Sequence, residues 1–119
     1  MDEHELNLFV KQIHAESAAA GWWDVPYAHT AEFNACKIAL IHSEVSEMLE
    51  GLRKGLKDDH LPHRSMEEVE AADVFIRLAD YCGRRGLDLG GAVIEKLAYN
   101  KKRADHKPEA RAGVGGKKF

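Results

Sequence analysis

Two pairs of acidic residues have the types and the spacing needed to bind a divalent cation. Glu44 precedes Glu47 by three positions, and Glu70 precedes Asp73 by the same interval. Three residues of α-helix turn the chain by roughly 300° and advance it by roughly 4.5 Å, so both members of a pair point the same way. Two facing helices would bring four carboxylates together, and their repulsion favours a hard cation such as Mg²⁺. We therefore predict a shared metal site.

The acid pairs also have an interpretation that needs no metal. Acids three residues apart are common on solvated helix faces, and Arg77 stands four residues after Asp73, where it can neutralise that carboxylate. Against this, both pairs lie beside an apolar stripe on consecutive helices. If the four acids converge, a bound metal lowers the pKa of its water and neutralises phosphate oxygens, which suits hydrolysis of a phosphoanhydride.

Two further groups of residues have types that suit a nucleotide. Lys96, Asn100 and Arg103 lie on one side of a predicted helix and offer two cations and a neutral donor to a triphosphate. The alternative is a solvated, cationic helix end, which the helix dipole favours. Trp22 and Trp23 either stack on a nucleobase or pack on the protein.

The elements that must position these residues are all helices. Apolar periodicity predicts helices over residues 3–20, 31–54 and 88–104, and a third helix that begins after Ser65 and ends near residues 83–86. The apolar stripe of the second helix, predicted to face the core, is Ile38, Ile41, Val45, Met48, Leu49 and Leu52. The predicted fold class is all-α, with four main helices that form a bundle.

Composition limits the class of protein. The 119 residues are 45% hydrophobic and 31% charged, which predicts a globular domain. The predicted helices end at residue 104, so the domain is expected over residues 1–104 and a flexible tail over residues 105–119. A net charge of −3 argues against binding to a nucleic acid polymer. No apolar run predicts a signal core or a membrane span, and Cys36 and Cys82 are expected as free thiols, so we expect a cytoplasmic protein. So short a chain builds a modest core, which favours burial against a second copy.

The stretches that hold the acids resemble a known family, the MazG-like all-α nucleoside triphosphate pyrophosphohydrolases. That family has the motif ExxE, a variable connection, and then ExxD. Here residues 41–50 (IHSEVSEMLE) and 70–77 (EAADVFIR) carry the two motifs. Residues 96–103 (KLAYNKKR) resemble the family's closing helix, and residues 21–23 (GWW) resemble a loop of its small members.

The resemblance covers most of the chain, from the first helix to Arg103, and implies a reaction. It implies hydrolysis of a nucleoside triphosphate between the α and β phosphates with Mg²⁺, or with Mn²⁺ as a substitute, by a homodimer or homotetramer. The residues it implies are the metal ligands Glu44, Glu47, Glu70 and Asp73, the phosphate ligands Lys96, Asn100 and Arg103, and Trp22 or Trp23 against the base. One of the four acids would orient or deprotonate the attacking water.

The same residues have two other interpretations. A di-iron carboxylate bundle needs Glu-x-x-His on two helices, and neither acidic helix has it, because Glu47, Glu50 and Asp73 stand at the positions that would be histidine. A non-catalytic helical module that binds a nucleotide or a partner could keep all four acids, and this alternative stays open.

Overall fold

The computed structural model describes residues 1–103 and 107–119, and within them the protein is all helical. The helices of the described residues are α1 (Glu3–Ala19), α2 (Ala31–Lys54), α3 (Met66–Arg85), α4 (Leu89–Lys102) and α5 (Pro108–Ala112). This confirms the all-α prediction and the four predicted helices to within about two residues at each end. The short α5 was not predicted. The predicted boundary between residues 104 and 105 lies outside the described residues.

The ends of α2 and α3 follow from local sequence signals. Thr30 caps α2, because its side chain accepts a hydrogen bond from the backbone N–H of Phe33, and Gly55 ends the helix in the left-handed region at φ 63°. At the start of α3, Ser65 and Glu68 each accept a hydrogen bond from the other's backbone N–H, which is a capping box. These contacts fix where the two acid-bearing helices begin and end.

Contacts divide the chain into two compact units, the larger of which is Phe9–Leu87. In it α2 packs along α3, and the second half of α1 packs on the end of α3. Gly83 permits that approach, because a Cβ built there would lie 2.6 Å from the Cβ of His14. The buried apolar side chains of this unit are Val10, Trp23, Ala28, Ala79 and Cys82. The buried residues thus cluster where α1, the aromatic loop and the end of α3 meet.

The second unit combines Met1–Leu8 with the described part of Asp88–Phe119. The Asn7 amide joins its two segments, donating to Oδ1 of Asp88 at 2.7 Å and accepting from the backbone N–H of Gly90 at 2.8 Å. Asp88 also caps α4 by accepting a hydrogen bond from the backbone N–H of Gly91.

The apolar stripe of α2, predicted to face the core, is largely exposed in a single chain. Seven apolar residues of α2 and α3 are between 38% and 60% exposed: Ile38, Val45, Leu49, Leu52, Phe75, Ile76 and Leu78. The physical reason is geometric, since within Phe9–Leu87 the packing of α3 along α2 leaves the adjoining side of α2 uncovered. In the part of the chain that is described, no helix has the length and apolar character needed to cross a membrane.

Candidate metal centre

Three carboxylates from two helices meet at one point. Glu44 comes from α2, and Glu70 and Asp73 come from neighbouring turns of α3. Each of them contributes one oxygen atom to a group in which all the oxygens lie within 4.8 Å of one another, and all three side chains are partly buried. Glu70 and Asp73 share a face because they are three residues apart, and the packing of α2 along α3 brings Glu44 to them.

The connection between α2 and α3 sets the register of the two acidic helices. Gly51 is buried against the start of α3, where a Cβ would lie 2.8 Å from Cγ of Met66. The backbone N–H of Met66 donates to the carbonyl of Leu56 at 2.9 Å. The close approach of Gly51 and the hydrogen bond to Leu56 fix the position of Met66, the first residue of α3, next to the end of α2. They therefore fix the position along the helices of Glu44 relative to Glu70 and Asp73.

Glu47, the fourth predicted ligand, is exposed on α2 and is not among the three residues of this group. Its charge nevertheless reaches the centre, because it is one of the charges that raise the pKa of Glu70. A metal-binding role for Glu47 therefore stays a prediction that rests on the motif.

The electrostatics of the centre are those of crowded acids. Burial, followed by the neighbouring carboxylate of Glu44 and the charges of Asp73 and Glu47, raises the pKa of Glu70 to about 7. Burial and the charge of Glu44 also raise the pKa of Asp73. One oxygen of Glu70, Oε2, is buried and has no hydrogen-bond partner. A buried acceptor without a hydrogen-bond partner destabilises the folded protein, and a proton or a bound cation at this oxygen would remove that cost.

The donor set fits a hard divalent cation. The group consists of carboxylate oxygens alone, which are the ligands that Mg²⁺ and Mn²⁺ prefer, whereas zinc sites are built mainly from nitrogen and sulphur. The partnerless oxygen of Glu70 lies among these acids. A cation would satisfy that atom and offset the repulsion that raises the pKa of Glu70, so both observations are consistent with a metal ion here.

Arg77 is the residue at this centre whose hydrogen-bond partner the sequence did not predict. The sequence suggested a pair with Asp73, one turn earlier on α3, and the charge of Arg77 does oppose the rise in the pKa of Asp73. The Nε of Arg77, however, donates across the helix interface to Oε1 of Glu44, at 2.8 Å. A sequence signal existed, because Arg77 stands seven residues after Glu70 and two helical turns bring it back to the same face.

The predicted phosphate ligands lie on α4 or at its end, in the other compact unit. Nη1 of Arg103 donates to Oδ1 of Asn100 at 3.4 Å. The Lys96 ammonium lies 4.7 Å from the ring centre of Tyr99, where a cation is attracted to the aromatic face. Lys96 and Asn100 also line an open cavity along α4. Their predicted contact with phosphate stays a prediction.

The two tryptophans have different environments. Trp22 is 68% exposed, whereas Trp23 is 5% exposed and donates its indole N–H to Oδ1 of Asp80 at 2.9 Å. The ammonium of Lys37 lies 4.6 Å from the ring centre of Trp23. Trp23 is thus part of the packed interior, and Trp22 has the free surface. Contact of either ring with a base stays a prediction.

Sequence reasoning also left the environment of Asp80 unpredicted. Its carboxylate is buried and accepts hydrogen bonds from Trp23, from Oγ of Ser17 at 2.8 Å, and from the His14 ring when Nδ1 carries the proton, also at 2.8 Å. The available signal was its position on α3, seven residues after Asp73 and next to the buried Ala79.

Comparisons of the chain with protein-family models, with curated proteins and with solved structures found no match. The site itself and the order of its motifs therefore carry the proposed function.

Proposed function

We propose that this protein is a Mg²⁺-dependent nucleoside triphosphate pyrophosphohydrolase of the MazG-like kind. It would convert an NTP or dNTP to the monophosphate and pyrophosphate, in the cytoplasm, for nucleotide pool housecleaning or control. The observation that carries the proposal is the meeting of Glu44, Glu70 and Asp73 around a buried oxygen that has no partner. The substrate class is supported by the resemblance of the motif order to that family.

The acids would hold the metal ion. Glu44, Glu70 and Asp73 are its ligands in this proposal, and Glu47 joins them as the motif implies. When bound, Mg²⁺ neutralises charge on phosphate oxygens and lowers the pKa of a water ligand. The contribution of α2 and α3 is to hold the acids together before any ligand arrives, so that binding relieves repulsion that is already present. One of the four carboxylates orients the attacking water or accepts its proton.

Residues of α4 and the aromatic loop would hold the substrate in this proposal. Lys96 and Arg103 match the charge of a polyphosphate, and Asn100 adds a neutral donor. Trp22 has an exposed ring face on which a base can stack. These roles rest on the side chains' chemistry and on the family resemblance.

A second copy of the chain would cover the exposed apolar face of α2 and α3 in a homodimer or homotetramer. The support is the stripe of exposed apolar residues, which a lone chain leaves in water. An apolar groove of about 400 Å³ between the same helices, lined in part by Ile41, Val45 and Leu78, offers room for side chains of the partner. Covering this face would complete the helical bundle that the sequence predicts.

Product analysis tests the proposed reaction. The purified protein is incubated with each common NTP and dNTP, with and without Mg²⁺, and the products are separated by chromatography. Monophosphate plus pyrophosphate, dependent on the metal, is the expected result. Diphosphate plus phosphate would contradict the cleavage position. Nucleotide binding without turnover across the panel would favour the non-catalytic module.

A further inference from the structure

The ion pair between Arg77 and Glu44 joins the two helices that carry the candidate metal ligands. Nε of Arg77 lies 2.8 Å from Oε1 of Glu44. The Glu44 side chain is 16% exposed and that of Arg77 is 40% exposed, so the acid is fixed in the interface while the guanidinium borders on solvent. The pairs Glu50–Lys54 and Arg64–Glu68 differ, because each joins exposed side chains four residues apart.

This pair places a positive charge on one of the three clustered acids. Glu44 is both the partner of Arg77 and a member of the carboxylate group with Glu70 and Asp73. Its charge is one of the causes that raise the pKa of each of the other two acids. Arg77 therefore offsets part of the charge of the cluster, through its ion pair with Glu44 on the opposite helix and through its charge, which opposes the rise in the pKa of Asp73.

A divalent ion and the Arg77 guanidinium would compete for the carboxylate of Glu44. A guanidinium and a doubly charged ion held by the same carboxylate of Glu44 would repel each other in a partly buried site. Arg77 has the long side chain and the access to solvent that would let it leave.

We propose that Arg77 is a built-in counter-cation that occupies Glu44 in the metal-free protein and is displaced when a divalent metal binds. The proposal rests on the metal site of the proposed function. It gives Arg77 a regulatory role: the residue stabilises the metal-free fold, and it sets how much free metal is required to load the site. The coupling is reciprocal, so loss of Arg77 tightens metal binding to the same degree that metal reduces the stability gained from Arg77.

Calorimetric titration with Mg²⁺ and with Mn²⁺, in the absence of nucleotide, tests the competition. Arg77→Gln is expected to bind either metal about three- to ten-fold more tightly than the unmodified protein. The effect is moderate because solvent partly screens the ion pair that the variant loses. Arg77→Lys retains the charge and is expected to stay closer to the unmodified protein. Arg53→Gln is the matched control, because it removes the same charge from an exposed pair with Glu50 on α2, and its metal affinity is expected to be unchanged.

A second measurement uses the unmodified protein and so does not depend on a variant that folds. The ¹H–¹⁵N signal of the Arg77 Nε–H group, assigned by its loss in Arg77→Lys, reports on the hydrogen bond to Glu44. Saturating Mg²⁺ is expected to shift this signal and to abolish its protection from exchange with water. A signal that stays unchanged at saturation would overturn the proposal.

The outcomes separate this proposal from the function on which it rests. If the unmodified protein binds metal and Arg77→Gln binds it equally or more weakly, Arg77 orients Glu44 rather than competing for it, and only the counter-cation proposal falls. If neither protein binds Mg²⁺ or Mn²⁺, both the metal site and the counter-cation fall.

Discussion

The indole N–H of Trp23 donates to Oδ1 of Asp80 at 2.9 Å, and both residues are buried. This bond links the aromatic loop between α1 and α2 to the last turns of α3. The same carboxylate accepts from Ser17 on α1 and lies 2.8 Å from the His14 ring. A single acid thus holds together three segments of the larger unit, in a place where a short chain has few buried apolar residues.

Asp80→Ala is expected to destabilise the fold, because Trp23 and Ser17 lose their common acceptor inside the protein. Stranded buried donors of this kind cost roughly 2–4 kcal/mol in the free energy of unfolding. Urea denaturation followed by circular dichroism measures the change. Glu16→Ala, at an exposed position on α1, is the control and is expected to change stability by less than about 0.5 kcal/mol. A variant at residue 80 as stable as the control would mean that the network contributes little.

Mg²⁺ is expected to raise the melting temperature, because the ion relieves repulsion among acids that the folded chain holds within 4.8 Å. At about a hundred times its dissociation constant a ligand adds roughly 2.7 kcal/mol, which corresponds to a rise of about 10 °C for a domain of this size. Differential scanning calorimetry with Mg²⁺ and with Mn²⁺ gives the shift, and Asp73→Asn is expected to reduce it sharply. Indifference to saturating concentrations of both metals would contradict a preformed site.

The helices and the shared face of Glu70 and Asp73 could be predicted because their signals are local. Helical periodicity predicted the four main helices, and side-chain caps at Thr30 and Ser65 fix the starts of α2 and α3 in the structure. The spacing of Glu70 and Asp73 on one helix face likewise needs only the geometry of an α-helix. For such features a window of a few residues contains the information.

What the sequence missed depends on contacts between helices. The hydrogen-bond partner of Arg77 is Glu44, 33 residues away, although its charge also acts on the nearby Asp73. The burial of Asp80 was not predicted, because isolated acids rarely lie inside a protein, yet donors from α1 and the aromatic loop allow it. Val45 and Leu49 were expected in the core, since periodicity shows which face is apolar but not which chain covers it.

The roles of Glu47 and Asp73 can be separated by isosteric amide variants. Both Glu47→Gln and Asp73→Asn are expected to lower turnover at least about a hundred-fold while the fold persists, because each removes a charged metal ligand. Turnover is measured as metal-dependent pyrophosphate release, and circular dichroism checks the fold. Because Glu47 is exposed and outside the group of three, unchanged activity in Glu47→Gln alone would reduce the ligand set to the clustered acids.

Leu49→Glu is expected to shift the protein from an oligomer to a monomer. Leu49 lies within the exposed apolar face of α2, and a charge buried there against a second copy would lack a partner. Light scattering coupled to gel filtration measures the mass. Ser43→Glu adds the same charge to an exposed position on another side of α2 and is expected to keep the oligomer. If the unmodified protein is itself a monomer at high concentration, the proposed self-association is wrong.

The raised pKa of Glu70 gives the metal-free protein a characteristic dependence on pH. In the unfolded chain this carboxyl has its ordinary pKa near 4.5, and in the folded protein about 7. Between these values the folded state holds a proton that the unfolded state has released, so the stabilisation is complete below about pH 4.5 and is lost as the pH rises through 7. Asp73 shifts in the same direction and adds to the trend.

We therefore expect the free energy of unfolding, measured with a chelator present, to fall as the pH is raised from 5 to 8, with Glu70 contributing about 1–2 kcal/mol after allowance for solvent screening. Glu70→Gln cannot lose a proton, so its stability is expected to fall less and to exceed that of the unmodified protein at pH 8. Glu95→Gln, exposed on α4, is expected to retain the full slope. If the free energy of unfolding of the unmodified protein and of Glu70→Gln changed with pH in parallel, the prediction would be wrong. The carboxylates of Glu44 and Asp73 would then be too weak to raise the pKa of Glu70, which would be ionised in the folded protein at pH 5 already.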